Sequence, residues 1–273
     1  MKVLILGGSG FLGSYLKKNS KKKIYFHGNN KKSFFNFDIS KRINIGFLKK
    51  IKPNIIVNLI SLSDVDLCQK NKKLAYRTNV ITQKNIVNYC KKNNTKLIYI
   101  STDQLYNSKK GYSSEKNISI LNYYSKTKFI AESLAKSCNS IILRTNFFGI
   151  NKVKNVGLVN WLTESCKKKK KIDLYNNVYF SPLNVNTLSK IILKIMTSKK
   201  RGTYNLGSIN KISKKDFAIQ IFRKLNINTS YDEVKINKFN VKRPLDMSMN
   251  CNKFIKDFKI KLPKIENEIK KLS

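Results

Sequence analysis

The chain opens on an unbroken apolar run, Val3–Leu6, too short for a helix and lacking polar alternation. Such a run predicts a strand buried on both faces. Residues 11–18 follow with apolar positions at helical spacing. Residues 23–26 and 34–37 read as second and third strands, and a Lys-rich helical stretch comes next. The pattern then gives a strand at 55–59, a long helix over about 74–91 and a strand at 97–100. A helix from near Asn122 to about Ser137 and a strand at 141–143 complete the first half. Short two-sided strands alternating with helices predict a parallel sheet covered on both faces, a doubly wound α/β fold of Rossmann type.

Beyond Ile150 the order loosens. Helices are expected at about 159–168, 185–197 and 214–224, with a strand at 202–206, a loop around Arg243-Pro244 and a last helix after Pro263. This predicts an α/β domain over 1–150, while residues 151–273 would mainly form a smaller α/β lobe, with about 183–206 returning to the sheet. No internal repeat is visible.

Composition narrows the function. Lys and Arg number 56 against 15 acids, a net charge of +41, and only six of the basic residues are Arg. A field of this size attracts polyanions. The lysines are nevertheless spread from end to end, without the Arg clusters or binding module that sequence-selective nucleic-acid binding needs. They read as solvated positions, the 167–171 run included, in a protein suited to anionic small molecules. The five cysteines contain no C-x-x-C and His27 is the single histidine, so disulfide frameworks, zinc sites and serine–histidine catalysis are not expected. No apolar run reaches the length of a membrane span and the N-terminal run is too short for a signal peptide, so a cytoplasmic protein is expected.

Gly7-Gly8-Ser9-Gly10-Phe11-Leu12-Gly13 follows the first strand directly and opens the first helix. In that context a glycine-rich turn lets the backbone approach a pyrophosphate and aims helix N-terminal amides at it. NAD enzymes place an acid after the second strand to hold the ribose 2′-hydroxyl. Here the segment reads His27-Gly28-Asn29-Asn30-Lys31-Lys32. Lysines at that place favour the 2′-phosphate of NADPH, with NADH left open.

With histidine nearly absent, a proton donor must come from Tyr, Lys, Asp, Glu or Cys. Tyr124 and Lys128 stand at i and i+4 on one helical face, where an ammonium would bring the phenol toward a working acidity. The spacing recurs at Tyr106/Lys110, Tyr112/Lys116 and Tyr231/Lys235. The first two lie in what reads as a polar loop and the third lies outside the first half, so context selects Tyr124. Ser101-Thr102-Asp103 ends the fifth strand, at the sheet edge where ligands sit in such folds.

These residues, with Asn58-Leu59-Ile60 and Arg144-Thr145, resemble the extended short-chain dehydrogenase/reductases. Asp64-Val65-Asp66-Leu67-Cys68, Ala75-Tyr76-Arg77-Thr78-Asn79-Val80, Ser181-Pro182 and Arg243-Pro244-Leu245-Asp246-Met247-Ser248 resemble the dTDP-4-dehydrorhamnose reductase branch. The resemblance implies reduction of the C4 ketone of a dTDP-linked 6-deoxy-4-keto sugar by NADPH, in polysaccharide biosynthesis. Thr102 would orient the ketone, Tyr124 would protonate the alkoxide, and Lys128 would tune Tyr124 and hold the nicotinamide ribose. Gly7, Gly10, Phe11, Leu12 and Gly13 would carry the pyrophosphate, with Asp38 and Ile39 beside the adenine and Leu59, Ser61 and Asn79 further along the cofactor. Asp103, Gln104, Asn146 and Arg243 would face the substrate, Arg243 gripping its phosphates. Related dehydratases carry Asp-Glu after the threonine. Asp103-Gln104 lacks that exchangeable proton, which fits simple reduction. Asn146-Phe147-Phe148 departs from the branch pattern of Ser-Trp and leaves the exact sugar open, and Gln104 stands where the branch has an aromatic residue. A nucleotide-sugar epimerase and a non-catalytic regulatory subunit on the same fold are the alternatives. No metal site and no specific nucleic-acid or membrane partner are expected, and a homodimer is left open.

Overall fold

A computed structural model of the chain describes residues 1–20, 24–28, 38–41, 46–151, 157–168, 171–236 and 240–272. The expected strand at 34–37 lies outside the described residues, as do Lys31 and Lys32. The chain divides into two compact units. The first comprises Met1–Thr102, Ile120–Arg144 and Ser189–Tyr204, and the second Asp103–Ser119, Thr145–Leu188 and Asn205–Ser273.

The first unit alternates strands and helices. In chain order these are β1 (Val3–Leu6), α1 (Phe11–Asn19), β2 (Tyr25–His27), α2 (Gly46–Ile51), β3 (Ile55–Asn58), α3 (Val65–Lys70), α4 (Lys72–Tyr76), α5 (Thr82–Lys92), β4 (Lys96–Ile100), α6 (Tyr123–Lys136) and β5 (Ser140–Thr145). Strands β2, β1, β3, β4 and β5 lie side by side in that order, each pair parallel. Connections run outward in both directions from β1, which makes the sheet doubly wound. β1, β3 and β5 are buried along their whole length, as two-sided apolar strands must be. Their side chains and those of α5 and α6 form one core, with Leu4, Leu6, Ile56, Ile86, Leu97, Ala131 and Ile142 at its centre.

The long helix expected at 74–91 is not one uniform helix. A π turn, Arg77–Ile81, joins α4 to α5. The extra residue in that turn carries Asn79 inward, where it is 3% exposed.

The second unit is built on short strands: β6 (Phe147–Phe148), then, after α7 (Leu158–Lys167), β7 (Ile172–Tyr175), β8 (Tyr179–Phe180) and β9 (Leu183–Asn184). α8 (Val185–Ile195) and β10 (Gly202–Leu206) follow, lying mostly in the first unit, and the second unit continues with β11 (Ile212–Ser213), α9 (Lys214–Lys224), β12 (Tyr231–Val234), α10 (Asn252–Phe258) and α11 (Ile265–Lys270). β10 joins the large sheet beside β5 as its sixth strand. The two-residue strands pair β6 with β9 and β8 with β11, and β7 pairs with β12. Phe217 of α9 packs edge-on against Phe148 and Phe180 at the centre of this core.

Residues 106–110 form a loop, as expected, but the Tyr106 side chain is not exposed to solvent: it is fully buried, and its hydroxyl donates to Oδ1 of Asn205. Asn205 in turn donates to the carbonyls of Ser113 and Asn250, so tertiary packing buries the side chain beside the polar neighbours that mark 107–110 as loop. Among the described residues no helix is long and apolar enough to cross a membrane.

Candidate active site

The C-terminal ends of β1, β3 and β4 fall on one edge of the sheet, because the three strands run parallel and in register. Three groups of residues leave the sheet there: the glycine turn after Leu6, residues 59–61 after Asn58, and Ser101-Thr102 after Ile100.

Gly7, Gly8 and Gly13 of the glycine turn leave no room for a side chain. Gly7 has φ +77°, a left-handed conformation that glycine adopts freely. A Cβ on Gly13 would lie 2.4 Å from the Gly8 carbonyl oxygen, and one on Gly8 would meet the Phe26 ring at 2.7 Å. Gly8 donates to the His27 carbonyl and Gly10 to that of Gly7, which folds the turn tightly against β2. Gly10 caps α1 without a side chain, and the first turn of α1 carries no acid, so the helix presents bare amides. Beside the turn, the buried Oγ of Ser61 has no hydrogen-bond partner among the described residues. A glycine cradle, uncapped helix amides and a waiting hydroxyl suit the diphosphate and ribose of a dinucleotide.

Asp38 accepts a hydrogen bond from the Ser40 amide. Burial alone would raise its pKa, but the Ser40 bonds and the charges of Arg77 and Lys41 outweigh it and hold the carboxyl below its usual range. Ile39 is buried in the core beside it, and the Asn85 side chain donates to the carbonyls of Ile39 and Ser40.

Helix α6 carries Tyr124 and Lys128. Its start is set by a reciprocal cap, in which Asn122 accepts from the Ser125 amide while the Ser125 hydroxyl accepts from the Asn122 amide. Tyr124 is 7% exposed and packs on Cys68 and Ala75. Lys128 is fully enclosed. Its Nζ donates to the Ile100 carbonyl at 2.8 Å and lies 4.4 Å from the centre of the Tyr99 ring. That bond ties the lysine to the strand that delivers Thr102. Burial pushes the Lys128 pKa down, and Glu132 and Cys68 push it back, leaving it at about 7.

Asn79 clamps this helix. Its Nδ2 donates to Thr127 Oγ1 at 2.9 Å and to the Leu62 carbonyl, and its Oδ1 accepts from the Leu62 amide. Three of its bonds are thus spent on the protein, and the π turn fastens the segment after β3 to the helix bearing Tyr124. One turn further on, Glu132 is fully buried and takes a two-pronged ion pair from Arg144, with contacts of 2.6 to 3.1 Å. Arg144, part of the sequence motif, is therefore a structural group.

Asp103, Gln104, Asn146 and Arg243 belong to the second unit. Asn146 donates to Asp103 Oδ2 at 2.7 Å, and Gln104 donates to the sulfur of Met247. Gln104 and Arg243 line a cleft of about 260 Å³ that also includes Trp161, Val178, Lys214 and Met247. Lys214 and Glu132 are the site-related residues that sequence reasoning passed over. Nothing marks Lys214 among so many lysines, and the Glu132–Arg144 pair exists only once β5 returns beneath α6.

The sheet order and the glycine turn are those of a dinucleotide-binding fold, and the chain is an NAD(P)-dependent oxidoreductase of the short-chain dehydrogenase/reductase class. Within it, the chain matches the family described as the RmlD substrate binding domain over residues 1–273 and belongs to that family. It is 24% identical to the spore coat polysaccharide biosynthesis protein SpsK of Bacillus subtilis, over 89% of this chain and 86% of that one. It is 23% identical to dTDP-4-dehydrorhamnose reductase of Salmonella typhimurium, over 82% and 80% of the two chains. Among solved structures, dTDP-4-dehydrorhamnose reductase from Bacillus anthracis in complex with NADP superposes with a TM-score of 0.90. It covers 99% of this chain and 98% of that one, at 24% identity.

Proposed function

We propose that the protein reduces the C4 ketone of a nucleotide-linked 6-deoxy-4-keto sugar with NADPH, converting dTDP-4-dehydro-L-rhamnose to dTDP-L-rhamnose. The observation that carries this reading is the enclosed Lys128, on the helix of Tyr124, bonded to the Ile100 carbonyl two residues before Thr102, in the unit whose first turn is a glycine cradle.

In this reading Gly7, Gly10, Phe11, Leu12 and Gly13 hold the dinucleotide's phosphates through backbone amides, with Asp38 and Ile39 beside the adenine. Leu59 and Ser61 flank the rest of the cofactor, the Ser61 hydroxyl gaining the partner it lacks. Asn79 acts as a positioning residue, through Thr127, on the helix that carries the acid. The bound cofactor supplies the hydride. Thr102 donates a hydrogen bond to the ketone oxygen and orients the carbonyl. Tyr124 gives its phenolic proton to that oxygen as it becomes an alcohol. Lys128, held by Ile100, supplies positive charge that stabilises the resulting phenolate. Asp103, to which Asn146 donates, and Gln104, Asn146 and Arg243 are read as substrate-binding residues. Gln104, where related dehydratases carry Glu, cannot exchange a proton at neutral pH, which disfavours dehydration and fits simple reduction.

The reading is tested by incubating the protein with NADPH and a panel of dTDP- and UDP-linked 4-keto sugars while following cofactor absorbance. Absorbance should fall with a 6-deoxy-4-keto sugar of the dTDP series in preference to the others. An epimerase would convert a nucleotide sugar with no net cofactor loss, and a regulatory subunit would turn over none of them.

A further inference from the structure

An enclosed ammonium needs compensation, and Lys128 receives it from one strand twice. The Ile100 carbonyl accepts from its Nζ at 2.8 Å, and the ring of Tyr99, one residue earlier on β4, lies 4.4 Å from the same nitrogen. Leu97 and Tyr99 are two residues apart and so share one face of β4, where they pack in the core that also holds Ala131 and Ala135 of α6. Tyr99 is thereby fixed between the sheet and the helix that carries Lys128. A cation over a ring face is attracted more strongly when both are withdrawn from water, as both are here.

Two observations show that the ring, and not the phenol oxygen, is what Lys128 meets. The Tyr99 hydroxyl is buried and has no hydrogen-bond partner among the described residues. Burial, with Glu132 and Tyr124 adding to it, also raises the Tyr99 pKa well above that of an ordinary phenol. The side chain is therefore neutral wherever Lys128 titrates, and it offers a π face rather than a phenolate.

We propose that Tyr99 is a positioning residue of the reductase, whose ring face stabilises the ammonium form of Lys128 and so sets the pH at which the site loses that charge. This rests on the reductase reading given above and adds to it a residue that acts through Lys128. The other titratable groups that act on the ammonium are Glu132 on its own helix and Cys68 of α3. Tyr124 acts on Tyr99, and Arg144 of β5 is engaged by Glu132. Desolvation brings Lys128 down to about 7 against the opposing pull of Glu132 and Cys68. A ring face that favours the charged form also opposes that fall. Weakening the face should therefore lower the pH at which the charge, and with it turnover, is lost.

The test follows Lys128 itself, by NMR of full-length protein carrying isotope-labelled lysine ε-carbons, with the Lys128 resonance assigned as the one missing from Lys128→Arg. The pH–rate profile of NADPH oxidation with the sugar panel is recorded on the same variants. Tyr99→Phe keeps the face and removes only the unbonded oxygen, so the Lys128 midpoint should stay near that of the wild type. Phenylalanines with one, two and three ring fluorines at position 99 drain charge from the face at nearly constant shape. The midpoint should fall with each, by about one pH unit across the series, and the alkaline loss of turnover should move with it. Tyr99→Leu should shift both in the same direction. A midpoint that stays level along the fluorinated series overturns the inference and leaves the reductase reading standing. A shift in Tyr99→Phe as large as that in Tyr99→Leu also overturns it, because the oxygen would then be the group that matters. A midpoint that falls along the series in a protein that reduces none of the sugars upholds the effect of the ring on Lys128 and overturns the reductase reading alone.

Discussion

Tyr124→Phe should lose about 10²–10⁴-fold in turnover, the usual contribution of a positioned general acid, and should still bind NADPH. On the transition-state scale that is a loss of about 3–5 kcal/mol. The substitution deletes one oxygen and keeps the ring, so packing on Cys68 and Ala75 survives and the fold should be retained. The loss should appear in kcat with little change in KM, because proton donation matters only as the alkoxide forms. Tyr106→Phe is the matched control. It removes the hydroxyl bonded to Asn205 in a different spacing pair, so it should cost stability, about 1–3 kcal/mol, and leave kcat nearly unchanged. Steady-state kinetics and cofactor titration on both variants check this, and near-normal turnover by Tyr124→Phe would remove it as the proton donor.

Glu132→Ala should destabilise the protein by about 3–5 kcal/mol, the cost of leaving a buried charge without its partner. Arg144 is 1% exposed and has no route to solvent once the carboxylate is gone. At roughly 2–4 °C per kcal/mol for a chain of this order of size, the melting temperature should fall by about 10 °C. Replacing both partners, Glu132→Leu with Arg144→Met, should recover much of the loss, because well-packed apolar groups can substitute for a buried pair. A second effect has a definite sign. Glu132 raises the Lys128 pKa, so its removal lets desolvation drive that value below about 7. The double variant should then be stable yet lose activity at a lower pH than the wild type. Thermal unfolding and a pH–rate profile on the same samples separate the two effects. A double variant no more stable than Glu132→Ala would contradict the buried-charge explanation.

The sheet was legible where periodicity and chemistry agreed. β1 and its glycine turn are continuous in sequence, and α9 spans the 214–224 predicted from apolar spacing. The π turn was not legible, because Arg77-Thr78-Asn79-Val80-Ile81 contains no glycine or proline and would fit an ordinary helix equally well. The strands of the second unit were hidden for another reason: two-residue strands such as Tyr179–Phe180 are too short to show a period. Within the site, Tyr124 and Lys128 could be chosen among four equal spacings only by their helical context. The loop at 106–110 was legible from Asn107, Ser108, Lys109 and Lys110, but the burial of the Tyr106 side chain was not, because it bonds to Asn205, ninety-nine residues away. Tertiary contacts of that kind leave no local trace.

The most direct measurement uses NADPH carrying deuterium at the transferable position of the nicotinamide, incubated with dTDP-4-dehydro-L-rhamnose. The label should appear at C4 of the sugar, one atom for each cofactor oxidised. A sugar converted without label, with the cofactor pool unchanged, would contradict it.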